Sequence, residues 1–209
     1  GPSHDCALCP RLHGFIAEWR GREPTWFNGP VPTFGDPNAQ LLIVGLAPGL
    51  RGANRTGRPF TGDFAGHWLY ENLSAFGFSS GRFDARPDDG LQLNGAAITN
   101  AVRCVPPENK PTPEEIATCR PFLEQTLAAL PHLKVIIALG KVAHDSVVKA
   151  HGMPASRLVF AHGARHALAN GRTLIDTYHS SRYNANTGRI TEAMFRAVFD
   201  DAARVLALA

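Results

Sequence analysis

The chain has 209 residues, 44% of them hydrophobic and 19% charged, with a formal net charge of +3. That length holds one complete α/β domain without comfortable room for a second, and the composition is that of a soluble globular protein, which excludes a disordered or fibrous chain. So small a positive charge favours an anionic partner only weakly, because nucleic-acid binding depends on where cations cluster.

No apolar run reaches the about 18 residues of a membrane span. The start, Gly1-Pro2-Ser3-His4, lacks the basic-then-apolar pattern of a secretory signal and resembles a cloning remnant. Residues 5–209 are therefore expected to form a single cytoplasmic, monomeric domain.

In chain order, the first feature is a C-x-x-C pair, Cys6 and Cys9. An amphipathic helix is predicted over Leu12 to Trp19, and residues 25–38, rich in Pro and Gly, read as irregular. Leu41 to Leu46 is continuously apolar and reads as a strand buried on both faces. It opens onto GLAPGLRGANRTGRPFTGD, Gly45 to Asp63, which packs five glycines and three arginines with no acid before Asp63. Such a loop at a strand end suits a flat, anionic ligand.

A helix is predicted from Phe64 to Phe76, with Gly77 as its stop. Residues 79–95 read as an aperiodic excursion. Ala96 to Val102 is a second buried strand, broken by Thr99-Asn100, and an amide there needs an internal partner or a ligand. Thr112-Pro113-Glu114-Glu115 is a helix start, and that helix runs towards Leu130 with a kink expected at Pro121. A third strand, Val135 to Leu139, passes through Gly140-Lys141 into a helix reaching Ala150. A short strand is expected at Leu158 to Phe160 and a last one at Thr173 to Tyr178, leading into His179-Ser180-Ser181-Arg182-Tyr183. The chain is helical from Ile190. The alternation implies a mostly parallel sheet covered on both faces.

Cys104 and Cys119 complete a set of four cysteines. In a reducing compartment such a set reads as metal ligation before disulfides, and four thiolates suit either a tetrahedral zinc or an iron–sulfur cluster. Spacing alone does not choose, and free buried cysteines are the bland alternative.

Three strand ends thus carry polar chemistry: Gly45 to Asp63, Asn100 and His179. In a parallel sheet they share one edge and can meet in one pocket. GLAPG, NRTGRPFTGD, the Ile98-Thr99-Asn100 strand before a cysteine, Ala161-His162-Gly163 and Tyr178-His179-Ser180-Ser181-Arg182 together resemble the uracil-DNA glycosylase superfamily, most closely its family 5 or B-type members. The resemblance runs from Cys6 to the last helix. It implies a three-layer α/β/α sandwich around a mostly parallel four-stranded sheet, a [4Fe-4S] cluster on Cys6, Cys9, Cys104 and Cys119, and hydrolytic release of uracil from DNA. It also implies that Phe60 stacks on the extruded base, that Asn100 reads its edge, and that His179 lies near the pyrimidine O2, in a pocket shaped by Gly45, Leu46 and Ala47.

These roles make chemical sense, because a base inside a duplex must be rotated out to be cut. Many superfamily members carry a polar residue for water where this chain has Leu46 and Ala47. Asp63 is the substitute candidate, and it is equally suited to cap the helix that follows. Arg51, Arg55, Arg58 and Lys141 are candidate phosphate contacts, Ser181 is a further DNA-binding candidate, and Arg182 and Tyr183 are candidates to enter the minor groove or fill the gap left by the base. Two other readings compete: a non-catalytic DNA- or nucleotide-binding module with a structural metal, and a zinc hydrolase using His162, His166 and His179. The second lacks a helical histidine motif.

Overall fold

The computed structural model describes residues 1–208. Helix α1 (Pro10–Arg22) leads through an irregular segment to a two-residue strand β1 (Phe34–Gly35) and then to β2 (Leu41–Gly45). The glycine-rich loop holds a single helical turn, α2 (Ala53–Thr56), before α3 (Phe64–Ala75). Strands β3 (Ser79–Ser80) and β4 (Gln92–Leu93) form a small separate ribbon within the 79–95 excursion. Then follow β5 (Ala96–Asn100), α4 (Pro113–Ala128), β6 (Val135–Leu139), α5 (Lys141–Ala150), β7 (Arg165–Ala167), β8 (Thr173–Thr177), α6 (Arg182–Asn186) and α7 (Glu192–Ala207).

The main sheet has the order β1-β5-β2-β6-β8-β7. Its four central strands are parallel, and the two short outer ones pair antiparallel. The expected four strands are therefore the core of a six-stranded sheet. The edge strands escape a sequence reading because two and three residues carry no detectable period.

One expected strand is absent. Leu158 to Phe160 pairs with nothing in the sheet, because the Leu158 carbonyl accepts from His144 Nε2 at 2.9 Å, and the outer strand forms later, at Arg165–Ala167. His4 is held in place: its ring bonds the Phe27 carbonyl at 2.9 Å and it accepts from Arg20.

Side chains alternate across the central strands. Leu41, Ile43, Ile98, Ile137 and Ile175 meet α3 and α7 on one face. Leu42, Val44, Ile136 and Leu174 meet α4 and α5 on the other. That makes the three layers. Helix α4 starts where the sequence places it, with a reciprocal box: Thr112 accepts from the Glu115 amide at 3.2 Å and Glu115 from the Thr112 amide at 2.8 Å. Because β2, β5, β6 and β8 run parallel and in register, Gly45, Asn100, Leu139 and Thr177 end on one edge.

Candidate active site

At that edge lies a cavity of about 380 Å³ lined by Leu46, Ala47, Phe60, Asp63, Asn100, Asn109, His179, Ser181 and Arg182, among others. Four segments far apart in sequence build it. Gly45 lies beneath the cavity, not on its wall: a Cβ there would sit 2.5 Å from both Asn100 Oδ1 and Phe60 Cζ. Glycine at this strand end is what lets the amide and the aromatic ring face each other.

Asn100 is 3% exposed and its side-chain oxygen has no hydrogen-bond partner among the described residues. A buried acceptor left unpaired is costly, which points to a partner that arrives from outside. The Phe60 ring lies 6.2 Å from the His179 ring, tilted by 33°. Phe60 holds a left-handed backbone, φ 56°, which only a firmly braced turn imposes on a phenylalanine. Part of the brace is Gly66, whose missing side chain leaves room for the Phe60 carbonyl.

Burial pushes the His179 pKa down to about 4, so its imidazole is neutral at physiological pH. Its backbone is fixed by Asn184, which donates to the His179 carbonyl at 2.9 Å. Asp63 serves as the N-cap of α3, with Oδ1 accepting from the Gly66 amide at 3.0 Å. Its other oxygen lies beside Gly52, where a Cβ would come within 3.0 Å. Burial raises the Asp63 pKa, with the Gly66 N–H opposing the shift. The cap uses one oxygen of the carboxylate, and Oδ2 makes no hydrogen bond among the described residues.

Asn109 escapes a sequence reading. It lines the cavity from the segment after Cys104, where Glu108 and Asn109 are both left-handed, φ 55° and 58°. The available signal was an asparagine in a Pro-rich turn, a residue type that tolerates this conformation.

The expected cations separate. Arg58 is turned inward: it is 5% exposed and makes two bonds to Asp89, at 2.8 and 2.7 Å. It is thereby removed from the phosphate contacts anticipated for it. Lys141 is exposed and pairs with Asp145 at 2.6 Å, Arg55 is exposed, and exposed Arg51 packs over Trp26. Arg182 packs over Phe64 at the cavity wall, Ser181 caps α6, and Tyr183 is 75% exposed beside them.

All four cysteines border one narrow cleft between α1, the end of β5 and α4. Among the described residues no three of their sulfurs lie within 4.8 Å of one another. The Arg103 amide donates to Cys119 Sγ at 3.3 Å, and burial raises the thiol pKa of Cys9 to about 11 and of Cys104 to about 12.

The histidines weighed as zinc ligands do not gather. His162 accepts from the Tyr178 amide, His166 lies on Asp176, and His179 lines the cavity. A different trio, His144, His166 and Asp176, does converge, within 4.8 Å. Hydrogen bonds account for it. His144 Nδ1 meets Asp176 Oδ1 at 2.7 Å, and His144 Nε2 meets the Leu158 carbonyl. The Leu158 carbonyl only accepts, so Nε2 donates to it, and Nδ1 shares a proton with the Asp176 carboxyl. Burial opposes a charge on His144, but Asp176 and Leu158 outweigh it and leave the His144 pKa raised. Asp176 Oδ2 is bonded by His166 and by the Ala161 amide.

Comparison with known proteins matches this geometry. The sequence model of the Uracil DNA glycosylase superfamily covers residues 32–203. The chain is 47% identical to the type-5 uracil-DNA glycosylase of Thermus thermophilus, over 97% of this chain and 94% of that one. It is 40% identical to the type-5 enzyme of Mycobacterium leprae, over 96% and 91%. The crystal structure of Pedobacter heparinus SMUG2 superposes with a TM-score of 0.52 at 14% identity, covering 93% of this chain and 83% of that one, which bears on the fold alone. The parallel sheet, the loops that end on one edge and the match along nearly the whole length lead to one assignment: this chain belongs to the uracil DNA glycosylase superfamily, among its type-5 members.

Proposed function

We propose that this protein is a monofunctional glycosylase that hydrolyses the N-glycosidic bond of uracil rotated out of DNA, leaving an abasic site. The observation that carries the reading is the unpaired Asn100 oxygen, facing the Phe60 ring inside a cavity that also holds Asp63 and His179.

Phe60 offers the extruded base a flat face. The Asn100 amide offers an acceptor for the uracil N3–H and a donor for O4, the reverse of what cytosine would need. As the bond breaks, negative charge gathers on the base and positive charge on the sugar. Neutral His179 can donate to the pyrimidine O2, and Asp63 Oδ2 can stabilise the sugar or take a proton from the attacking water. Asn109 adds a polar group to the same wall. Leu46 and Ala47 bring no polar side chain, which suits a pocket that also admits other deaminated or damaged bases.

Arg51, Arg55 and Lys141 are the cations left to meet phosphates. Arg182 and exposed Tyr183 would fill the gap left by the base, with Ser181 beside them as a DNA contact. Cys6, Cys9, Cys104 and Cys119, which border one cleft, would hold a [4Fe-4S] cluster, with zinc as the alternative that four thiolates also suit. When bound, it would cross-link the N-terminal segment to the end of β5 and to α4, and it supplies no step of base release. The monomeric state and cytoplasmic location remain part of the proposal; no helix among the described residues is long and apolar enough to cross a membrane.

Incubation with an oligonucleotide carrying one uracil, followed by alkali, tests the activity. Strand cleavage only after alkali is expected. Intact strands at equimolar protein would overturn it, and base-independent binding would favour the non-catalytic module. Iron, sulfide and a broad visible absorption are expected for the cysteine site; zinc without sulfide would contradict the cluster.

A further inference from the structure

The 79–95 excursion contributes no residue to the cavity wall, yet one of its residues holds the wall in place. Asp89 is 1% exposed at its side chain and forms a two-pronged ion pair with Arg58. It also accepts from the Asp84 and Leu91 amides, at 2.9 and 3.0 Å, so its own loop fixes it. The Arg58 guanidinium lies among three rings, Phe34, Tyr70 and Phe83, at 5.2 to 5.7 Å. Its third nitrogen, Nε, donates to Thr61 Oγ1 at 2.8 Å. From the other side, the Tyr70 hydroxyl donates to the Pro59 carbonyl at 2.7 Å.

These contacts straddle one residue. Pro59 and Thr61 are both held, and between them stands Phe60 in its left-handed conformation. A strained residue persists only where its surroundings over-determine it, and a buried, bidentate arginine is the stiffest brace that side chains offer.

We infer that Arg58 and Asp89 are positioning residues for base stacking: their buried ion pair fixes the Pro59-Phe60-Thr61 turn, and with it the face that Phe60 presents to the cavity. This rests on the reading of Phe60 as the stacking surface. The segment from Ser79 to Gly95 is then part of the active-site scaffold, although it contributes no wall to the cavity.

The test is a double-mutant cycle on single-turnover uracil release, with thermal melting run alongside to confirm folding. Asp89→Asn is expected to slow release by about tenfold, the order of one weakened base–aromatic stack. In a Phe60→Leu background the same change is expected to cost less than about twofold, because the stack it serves is already gone. Tyr70→Phe, which removes only the hydroxyl on Pro59, is expected to repeat the pattern with a smaller effect, and it decides the matter if Asp89→Asn does not fold. Equal slowing in both backgrounds would overturn the positioning role while leaving Phe60 as the stacking surface. A wild-type rate for Phe60→Leu would overturn the stacking reading itself, and the inference with it.

Discussion

Asp176 and Asn100 are both buried near the carboxyl edge of the same parallel sheet, yet they are treated oppositely. Asp176 has every oxygen occupied, by His144, His166 and the Ala161 amide. Asn100 has an oxygen with no partner among the described residues, and the histidine that shares its cavity has its pKa lowered where that of His144 is raised. Buried polar groups stabilise a fold when satisfied and weaken it when not. A group left unsatisfied at a cavity is therefore reserved for a ligand, while the satisfied trio pins β8 to α5 and to the segment that ends in β7.

The largest effect should come from breaking the satisfied cluster. Asp176→Asn breaks a buried, fully bonded carboxyl–histidine cluster and should cost ~3–5 kcal/mol of stability in urea unfolding, with uracil release by the folded fraction nearly unchanged. Asn100→Ala should do the reverse: stability unchanged or slightly raised, and release slowed. If both variants lose stability alike, the distinction between the two clusters fails.

Next in size are the groups facing the reaction. His179→Ala and Asp63→Asn should each slow single-turnover release by roughly 10²-fold or more. Asparagine keeps the α3 cap, so Asp63→Asn should melt close to wild type and isolate the chemistry from the capping. Wild-type rates in both would remove the mechanism and leave the pocket.

The smallest effect is on pH dependence. The His179 pKa is about 4 when folded against an ordinary value of 6.5. Above 6.5 the group is neutral in both states, and as pH falls from 6.5 towards 4 only the unfolded chain takes up the proton, so stability declines across that window. His179→Ala should flatten this decline. His144, with its pKa raised, acts in the other sense: its contribution is complete below 6.5 and is lost as pH rises through the folded value.

What could be read beforehand follows the same division. Strands buried on both faces and the Thr112 capping box are local patterns, and β2, β5, β6, β8 and α4 form where they were expected. Asn100 was legible because an amide inside an apolar strand conflicts with its surroundings, and its unpaired oxygen is that conflict. Arg58 was misread because an arginine in a glycine-rich loop gives no sign that an aspartate 31 positions later lies against it. Leu158 to Phe160 was misread for a similar reason, since a histidine on α5 takes the carbonyl that a strand neighbour would use. Charge partners distant in sequence have no period to reveal them.

The central claim is that one nucleobase lies between Phe60, Asn100 and His179. A crystal structure of the protein soaked with free uracil tests it most directly. The prediction is a uracil ring stacked on Phe60, its N3 and O4 on the Asn100 amide and its O2 beside His179. Uracil bound outside this cavity, with the Asn100 oxygen still unpaired, would contradict it.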